Sequence, residues 1–149
     1  MSEHLAVETK TILLAESDFV VRKALRRTLE SFGYHILEAA TGEEAVTFAN
    51  RHRGPIDLLL SDISVKGLHG PGLARIVTDI RPFTRVLFLT GEPEASNTEA
   101  GLCPGCWLLV RKPFRPRELA QALDDFLSRQ LCPPHNIDSL IRAGLFDAS

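Results

Sequence analysis

The sequence has no long apolar run and no marked excess of charge of either sign. Its 149 residues carry a formal net charge of -2, and both signs are mixed along the chain, which argues against a broad basic surface for nucleic acid. No apolar stretch approaches the ~18 residues of a membrane helix, and the first residues lack the form of a secretory signal. We therefore expect a cytoplasmic protein with no membrane insertion and no nucleic-acid partner.

Sequence signatures of catalysis are absent as well. The chain shows no nucleophile paired with a base and no glycine-rich phosphate loop, so we expect that it is not an enzyme. Its length suits one ordinary domain, which we place at residues 10–129, between tails at 1–9 and 130–149. The second tail has no helix-turn-helix pattern, so we expect no DNA-binding output domain. Its short apolar patch predicts packing on its own domain or on a partner, and a dedicated docking segment is the alternative.

Cysteine is scarce: only three are present, and in the cytoplasm they should be reduced. Cys103 and Cys106 form a C-x₂-C pair, and Cys132 and His135 form a C-x₂-H pair, a spacing that resembles structural zinc sites. A Zn²⁺ site, a redox pair at Cys103 and Cys106, and ordinary thiols are the three interpretations. Ordinary thiols are favoured, because two isolated ligand pairs arise readily by chance.

What the chain does contain is a series of short apolar runs. Four of them suit strands that are buried on both faces of a parallel sheet. They are Thr11–Ala15, Ile56–Ser61, Arg85–Thr90 and Cys106–Val110. A fifth segment, YHILEA at residues 34–39, alternates apolar and polar residues and predicts an edge strand.

Amphipathic segments between these runs predict helices. Gly33 ends the first segment, Thr41 and Glu44 fit a capping box at the second, and Pro71 and Pro116 open the third and the last. The predicted buried stripes are Val21, Leu25, Leu29 and Phe32; Ala45, Phe48 and Ala49; Leu73, Ile76, Val77 and Ile80; and Leu119, Leu123, Phe126 and Leu127. Residues 92–104 contain several prolines and glycines, so we expect the fourth helix there to be short or irregular.

Five alternations of strand and helix predict an open, doubly wound parallel sheet with helices on both faces. Sites in such sheets form at the carboxyl ends of the strands. Asp62 follows the run of leucines and stands at that end, whereas Asp57 precedes the run and is predicted to be solvated. The simpler alternative for Asp62 alone is a carboxylate that caps a turn.

Other polar side chains end the neighbouring strands: Glu16, Thr90 and Lys112. In the flavodoxin-like strand order 2-1-3-4-5, the first and third strands are adjacent, so Glu16 and Asp62 would meet in one crevice. Clustered carboxylates favour a hard cation such as Mg²⁺. With a hydroxyl and an ammonium beside them, the set fits capture of a phosphoryl group by a carboxylate.

At this point the sequence resembles the receiver domains of two-component response regulators. The resemblance covers about residues 10–129 and rests on ILLAESDFVVR, DLLLSDISVKGLHG, VLFLTG and RKPF, in the order and spacing of that family. The stretch from GPIDLLLSD to VLFLTG looks most like receiver modules of hybrid sensor kinases. The resemblance also implies a cis peptide bond at Lys112-Pro113.

The resemblance implies a role for each matched position. Asp62 would accept phosphate from a phosphohistidine, Thr90 would bond a phosphoryl oxygen, and Lys112 would pair with the phosphoryl charge. Glu16 would hold Mg²⁺ with Asp62 and the backbone carbonyl of Ser64. The phosphoryl donor would be a sensor histidine kinase or a phosphotransfer protein, and the output would be a contact with another protein or with a second copy of the chain.

Three positions depart from the pattern of the family. Ser17 stands where an aspartate normally binds the metal, and losing that charge could cost ~1–4 kcal/mol of metal binding. Asp18 is a candidate to compensate, although it could instead cap the first helix. Leu109 replaces the aromatic residue that moves on phosphorylation, and Lys66 replaces a proline. Two interpretations remain: a phosphorylated receiver, or a pseudo-receiver that binds partners with weak or absent Mg²⁺-dependent phosphorylation.

Overall fold

A computed structural model describes residues 9–91 and 107–129 of the chain. Within these two ranges, strands and helices alternate in the predicted way. They are β1 (Thr11–Ala15), α1 (Phe19–Ser31), β2 (His35–Ala39), α2 (Gly42–Arg51), β3 (Leu58–Asp62), α3 (Gly70–Ile80), β4 (Arg85–Thr90), β5 (Trp107–Arg111) and α4 (Pro116–Ser128). The strands form one sheet in the order β2-β1-β3-β4-β5, and every neighbouring pair is parallel. The flavodoxin-like order and the edge position of the strand HILEA are confirmed.

Helices cover both faces of the sheet, as predicted. On one face, Leu25 and Leu29 of α1 and Leu123 of α4 pack against alternate residues of the strands. On the other face, Ala45 of α2 and Leu73 of α3 pack against the remaining strand residues. Because each central strand is buried on both sides, it reads as an unbroken apolar run instead of an alternating one.

Strand boundaries agree with the sequence at β1 and β4 and differ at β3 and β5. The fifth strand ends at Arg111 instead of Val110, and it is only half-buried because it lies at the edge of the sheet. The third strand begins at Leu58 instead of Ile56, and it includes Asp62 as its last residue. The prediction of a solvated Asp57 is wrong. Its carboxylate is half-buried and accepts a hydrogen bond from the Thr11 backbone N–H at 2.8 Å. Asp57 therefore ties the start of β1 to the residue before β3.

The buried helix stripes are confirmed in α4 and only partly in α1, α2 and α3. In α2, Ala45 and Ala49 are buried and Phe48 is half-buried. All four predicted residues of α4 are buried. Phe32 and Ile80 are each 37% exposed, because they stand at the ends of α1 and α3. Ala74 and Thr78 are buried on α3 in addition to the predicted Leu73 and Val77.

The predicted starts and stops of the helices are confirmed, except that one hydrogen bond of the capping box has a different donor. Thr41 caps α2 by accepting from the Glu44 N–H at 3.1 Å, but the Glu44 carboxylate accepts from the Ala40 N–H instead of that of Thr41. Gly33 follows α1 with a φ of 98°, which favours glycine. None of the helices that the structure describes is long and apolar enough to cross a membrane. The predicted fourth helix at 92–104, the residues Cys103, Cys106, Cys132 and His135, and the 130–149 tail lie outside the described ranges.

Candidate functional site

Three charged side chains meet at the carboxyl end of the sheet. Asp62 is the last residue of β3 and is 8% exposed, and Glu16, directly after the neighbouring β1, is 5% exposed. Lys112 follows β5, at the predicted cis Lys112-Pro113 peptide bond. Its Nζ lies 2.5 Å from Asp62 Oδ2 and 3.6 Å from Glu16 Oε1. The structure therefore brings together the three residues that the sequence placed in one crevice.

Both oxygens of Asp62 accept hydrogen bonds. Lys112 donates to Oδ2, and Ser64 donates to Oδ1 through both its backbone N–H and its hydroxyl, each at 2.8 Å. Burial alone would raise the pKa of Asp62, but the bonds from Lys112 and Ser64 outweigh it and hold that pKa below its ordinary value. Asp62 is thus kept as an anion, which is the form that can act as a nucleophile.

Glu16 lies in a contrasting environment. Its Oε2 accepts from the Asp18 N–H at 3.0 Å, whereas its Oε1 is buried and accepts no hydrogen bond from the described residues. Burial raises the pKa of Glu16, and the negative charge of Asp62 adds to the effect. The nearest described cation to Oε1 is the Lys112 ammonium, at 3.6 Å, which is beyond hydrogen-bond distance. A bound cation would satisfy this oxygen and the neighbouring carboxylate more fully.

The residues present fit Mg²⁺ in part. Glu16 and Asp62 supply two carboxylates, and no group of three or more His, Cys, Asp or Glu residues suited to a metal occurs within 9–91 and 107–129. Mg²⁺ typically keeps several waters and takes only one or two protein carboxylates, so two carboxylates and a backbone carbonyl such as that of Ser64 would suffice. Proximity to Lys112 would weaken binding of the ion, because the ammonium already balances part of the negative charge.

The two residues after Glu16 are used for structure. Ser17 Oγ accepts a hydrogen bond from the Lys66 backbone N–H at 2.7 Å. Asp18 Oδ1 accepts from the Val21 N–H at 3.0 Å and caps α1. The cap is the role for Asp18 that the sequence offered as the alternative to metal binding.

Thr90 and Leu109 lie on the two strands beside Asp62. Thr90 ends β4 one residue after Leu89, which pairs with Asp62 across the sheet, and its side chain is buried. Leu109 is half-buried and packs in the same cluster as Phe88. Trp107 lies two residues before Leu109 on β5. Its ring contacts the ring of Phe88 edge to face, with the two centroids 6.1 Å apart. Trp107 therefore packs against the same buried cluster as Leu109.

Sequence reasoning missed two contacts in this region. The Ser64 side chain was assigned no role, although its hydroxyl bonds Asp62 Oδ1. A serine two residues after an aspartate is a local turn signal that could have predicted this bond. The hydrogen bond from the Lys66 N–H to Ser17 Oγ joins residues 49 positions apart, and no local sequence pattern predicts it.

Comparison with known proteins gives matches over most of the chain. The family model described as response regulator receiver domain matches residues 12–124. The response regulator receiver protein CpdR of Brucella abortus (strain 2308) is 33% identical over 118 residues, which are 79% of this chain and 97% of CpdR. The sensor kinase CckA of the same organism is 32% identical over 123 residues, which are 80% of this chain but 13% of the kinase.

A solved structure gives the same result. The crystal structure of the receiver domain from the hybrid histidine kinase CckA aligns with a TM-score of 0.67 at 31% identity, covering 79% of this chain and 99% of that domain. The similarity therefore spans nearly all of one small relative and a single domain of a larger one. It extends to no other part of the CckA kinase.

Proposed function

Because this chain belongs to the response regulator receiver domain family, we propose that Asp62 accepts a phosphoryl group from a phosphohistidine and that the chain signals by binding another protein. Receiver domains are signalling modules that act in two-component systems with histidine kinases or phosphotransfer proteins. The observation that supports the proposal best is the contact of Lys112 with Asp62, with Glu16 beside them at the end of the sheet.

The proposed reaction moves one phosphoryl group between two side chains. A carboxylate oxygen of Asp62 forms the new O–P bond as the N–P bond of the phosphohistidine breaks, and the electron pair of that bond returns to the imidazole. The Lys112 ammonium, now bonded to Asp62 Oδ2, would turn to a phosphoryl oxygen. The Thr90 hydroxyl would donate to another. Glu16, Asp62 and the Ser64 carbonyl would hold Mg²⁺, which would offset the charge that builds up on the phosphoryl oxygens.

The test compares the two aspartates at opposite ends of β3. The full chain is incubated with acetyl phosphate, or with beryllofluoride, in the presence of Mg²⁺, and intact mass is measured. We expect one adduct on the wild type and on Asp57→Asn, and none on Asp62→Asn. An adduct that persists in Asp62→Asn, or no adduct on the wild type at saturating reagent, would contradict the proposal.

A second candidate function is favoured by Ser17 and Leu109. In this interpretation the chain is a pseudo-receiver, whose fold binds a partner while Mg²⁺-dependent phosphorylation is weak or lost. Ser17→Asp restores the missing carboxylate and separates the two functions. If acetyl phosphate labels Ser17→Asp but not the wild type, the pseudo-receiver is the correct assignment.

The first turn of α1 offers a surface for the phosphoryl donor. Phe19 is 63% exposed and Val20 is 73% exposed, directly after the loop that carries Glu16. Apolar side chains this exposed next to a reactive site are typical of a docking surface. Val20→Asp should slow phosphoryl transfer from a histidine-containing donor protein and leave labelling by acetyl phosphate unchanged. Equal loss with both donors would place the defect in the site itself.

A further inference from the structure

The loop between β3 and α3 is held by bonds from two other parts of the chain. Lys66 lies in the middle of this loop and is exposed. Its N–H donates to Ser17 Oγ at 2.7 Å, and its carbonyl accepts from the Gly42 N–H at 2.9 Å. Backbone groups of an exposed loop are normally hydrated, so bonds at both ends of one residue show that this loop is fastened in place.

Close packing on α2 accompanies these bonds. A Cβ on Gly42 would lie 2.6 Å from Leu68 Cβ, and a Cβ on Gly67 would lie 2.0 Å from Glu43 Oε1. Gly67 also has a φ of 86°, in the left-handed region that favours glycine. The loop therefore rests directly on the first turn of α2, and Ser17 fastens it to the loop after β1.

The fastened loop begins at Asp62 itself. Ser64 bonds Asp62 Oδ1 twice, and the Val65 N–H donates to the Asp62 carbonyl at 3.2 Å. Lys66 is the next residue, so the bond to Ser17 holds the far end of the turn that orients the Asp62 carboxylate. Without the Ser17 acceptor, the Lys66 N–H would lose its bond, and the far end of the turn would be held only through its contacts with α2.

We propose that Ser17 is a positioning residue, which fastens the β3–α3 loop through the Lys66 amide and thereby keeps Asp62 oriented without a cation. One lone pair of the Ser17 hydroxyl is used by this bond, and the oxygen carries no charge. The hydroxyl thus holds the β3–α3 loop in place, whereas a carboxylate at this position would increase metal affinity. The effect on Asp62 chemistry rests on the proposed function, whereas the fastening of the loop does not.

The test is amide hydrogen exchange of the full chain in EDTA, read residue by residue by NMR. In Ser17→Ala, the Lys66 amide should exchange about threefold to tenfold faster than in the wild type, as expected for the loss of one hydrogen bond. Ser17→Thr keeps a hydroxyl and should keep the wild-type rate. The Val21 amide, bonded to Asp18, is the internal control and should not change.

Labelling by acetyl phosphate at saturating Mg²⁺ tests the positioning role. The rate should fall several-fold in Ser17→Ala and return in Ser17→Thr. The proposal is overturned if the Lys66 amide exchanges equally in Ser17→Ala and the wild type, if wild-type protection needs Mg²⁺, or if the Ser17→Ala labelling rate is unchanged. If no variant is labelled, the proposed function fails, and exchange still decides whether Ser17 fastens the loop.

Discussion

Ser17 places an uncharged hydroxyl directly after Glu16, next to the carboxylate site. A carboxylate at this position would add a third negative charge beside Glu16 and Asp62. The hydroxyl adds none and instead accepts from the Lys66 amide. Position 17 therefore adds no negative charge that a cation would have to balance.

The first prediction concerns the metal affinity of Ser17→Asp. We expect this variant to bind Mg²⁺ at least ~5-fold more tightly than the wild type, because one added charge near the ion contributes ~1–4 kcal/mol. Calorimetric titration of Mg²⁺ measures the effect. Ser31→Asp, at the far end of α1, adds the same charge away from the site and should leave the affinity unchanged. Equal affinities of Ser17→Asp and the wild type would contradict this account of position 17.

Glu38 carries the second prediction at this scale. Its carboxylate on β2 accepts from Arg22, Lys23 and Arg26 of α1, at 3.1, 2.8 and 2.5 Å. Burial opposes ionisation, but these three cations outweigh it and lower the pKa of Glu38 from 4.5 to about 2. Glu38 is 14% exposed, and two of its partners are about 40% exposed, so solvent screens part of the interaction.

Glu38→Gln should therefore lower the free energy of unfolding by about 2 kcal/mol at pH 7. A lowered folded pKa stabilises the fold above pH 4.5, and this contribution is lost as the pH falls toward 2. The difference between variant and wild type should thus shrink across that window in urea titrations. Glu30→Gln removes a single exposed partner of Arg26 and should cost less than ~0.5 kcal/mol.

At the scale of elements, glycines let the β3–α3 loop approach α2. Gly67→Ala introduces a Cβ at positive φ and displaces the Glu43 carboxylate, so we expect a loss of ~1–3 kcal/mol in the free energy of unfolding. Gly72→Ala is the matched control: it lies in α3 with no atom within 4 Å of the added Cβ. That change should stabilise the fold by ~0.5–1 kcal/mol. Urea denaturation measures both, and equal effects would contradict the close approach.

At the scale of the whole molecule, occupation of the site should be coupled to folding. A ligand that binds only the folded chain adds ~2.7 kcal/mol to its stability at a concentration of 100 times Kd. Beryllofluoride with Mg²⁺ should therefore raise the thermal midpoint of the wild type. It should leave that of Asp62→Asn unchanged. A rise of equal size in both proteins would show that the ligand binds elsewhere.

The sequence by itself determined the order and type of the elements in the two ranges that the structure describes. β1 and β4 have the predicted bounds, and the last helix buries all four predicted residues, because apolar periodicity is a local property of the chain. The convergence of Glu16, Asp62 and Lys112 was also predictable, since the carboxyl ends of parallel strands share one edge of the sheet. The ends of the helices were less predictable. Phe32 and Ile80 were placed on the predicted buried stripes, but both are exposed.

Only the tertiary structure decided how individual polar groups are paired. Asp57 bonds the Thr11 amide, Ser17 bonds the Lys66 amide, and Oε1 of Glu16 accepts no hydrogen bond from the described residues. The two hydrogen bonds join residues 46 and 49 positions apart. Whether such hydrogen bonds form depends on atomic positions to within a few tenths of an ångström. Those positions are fixed only when distant elements pack against one another. Hydrophobic periodicity carries no information at that precision.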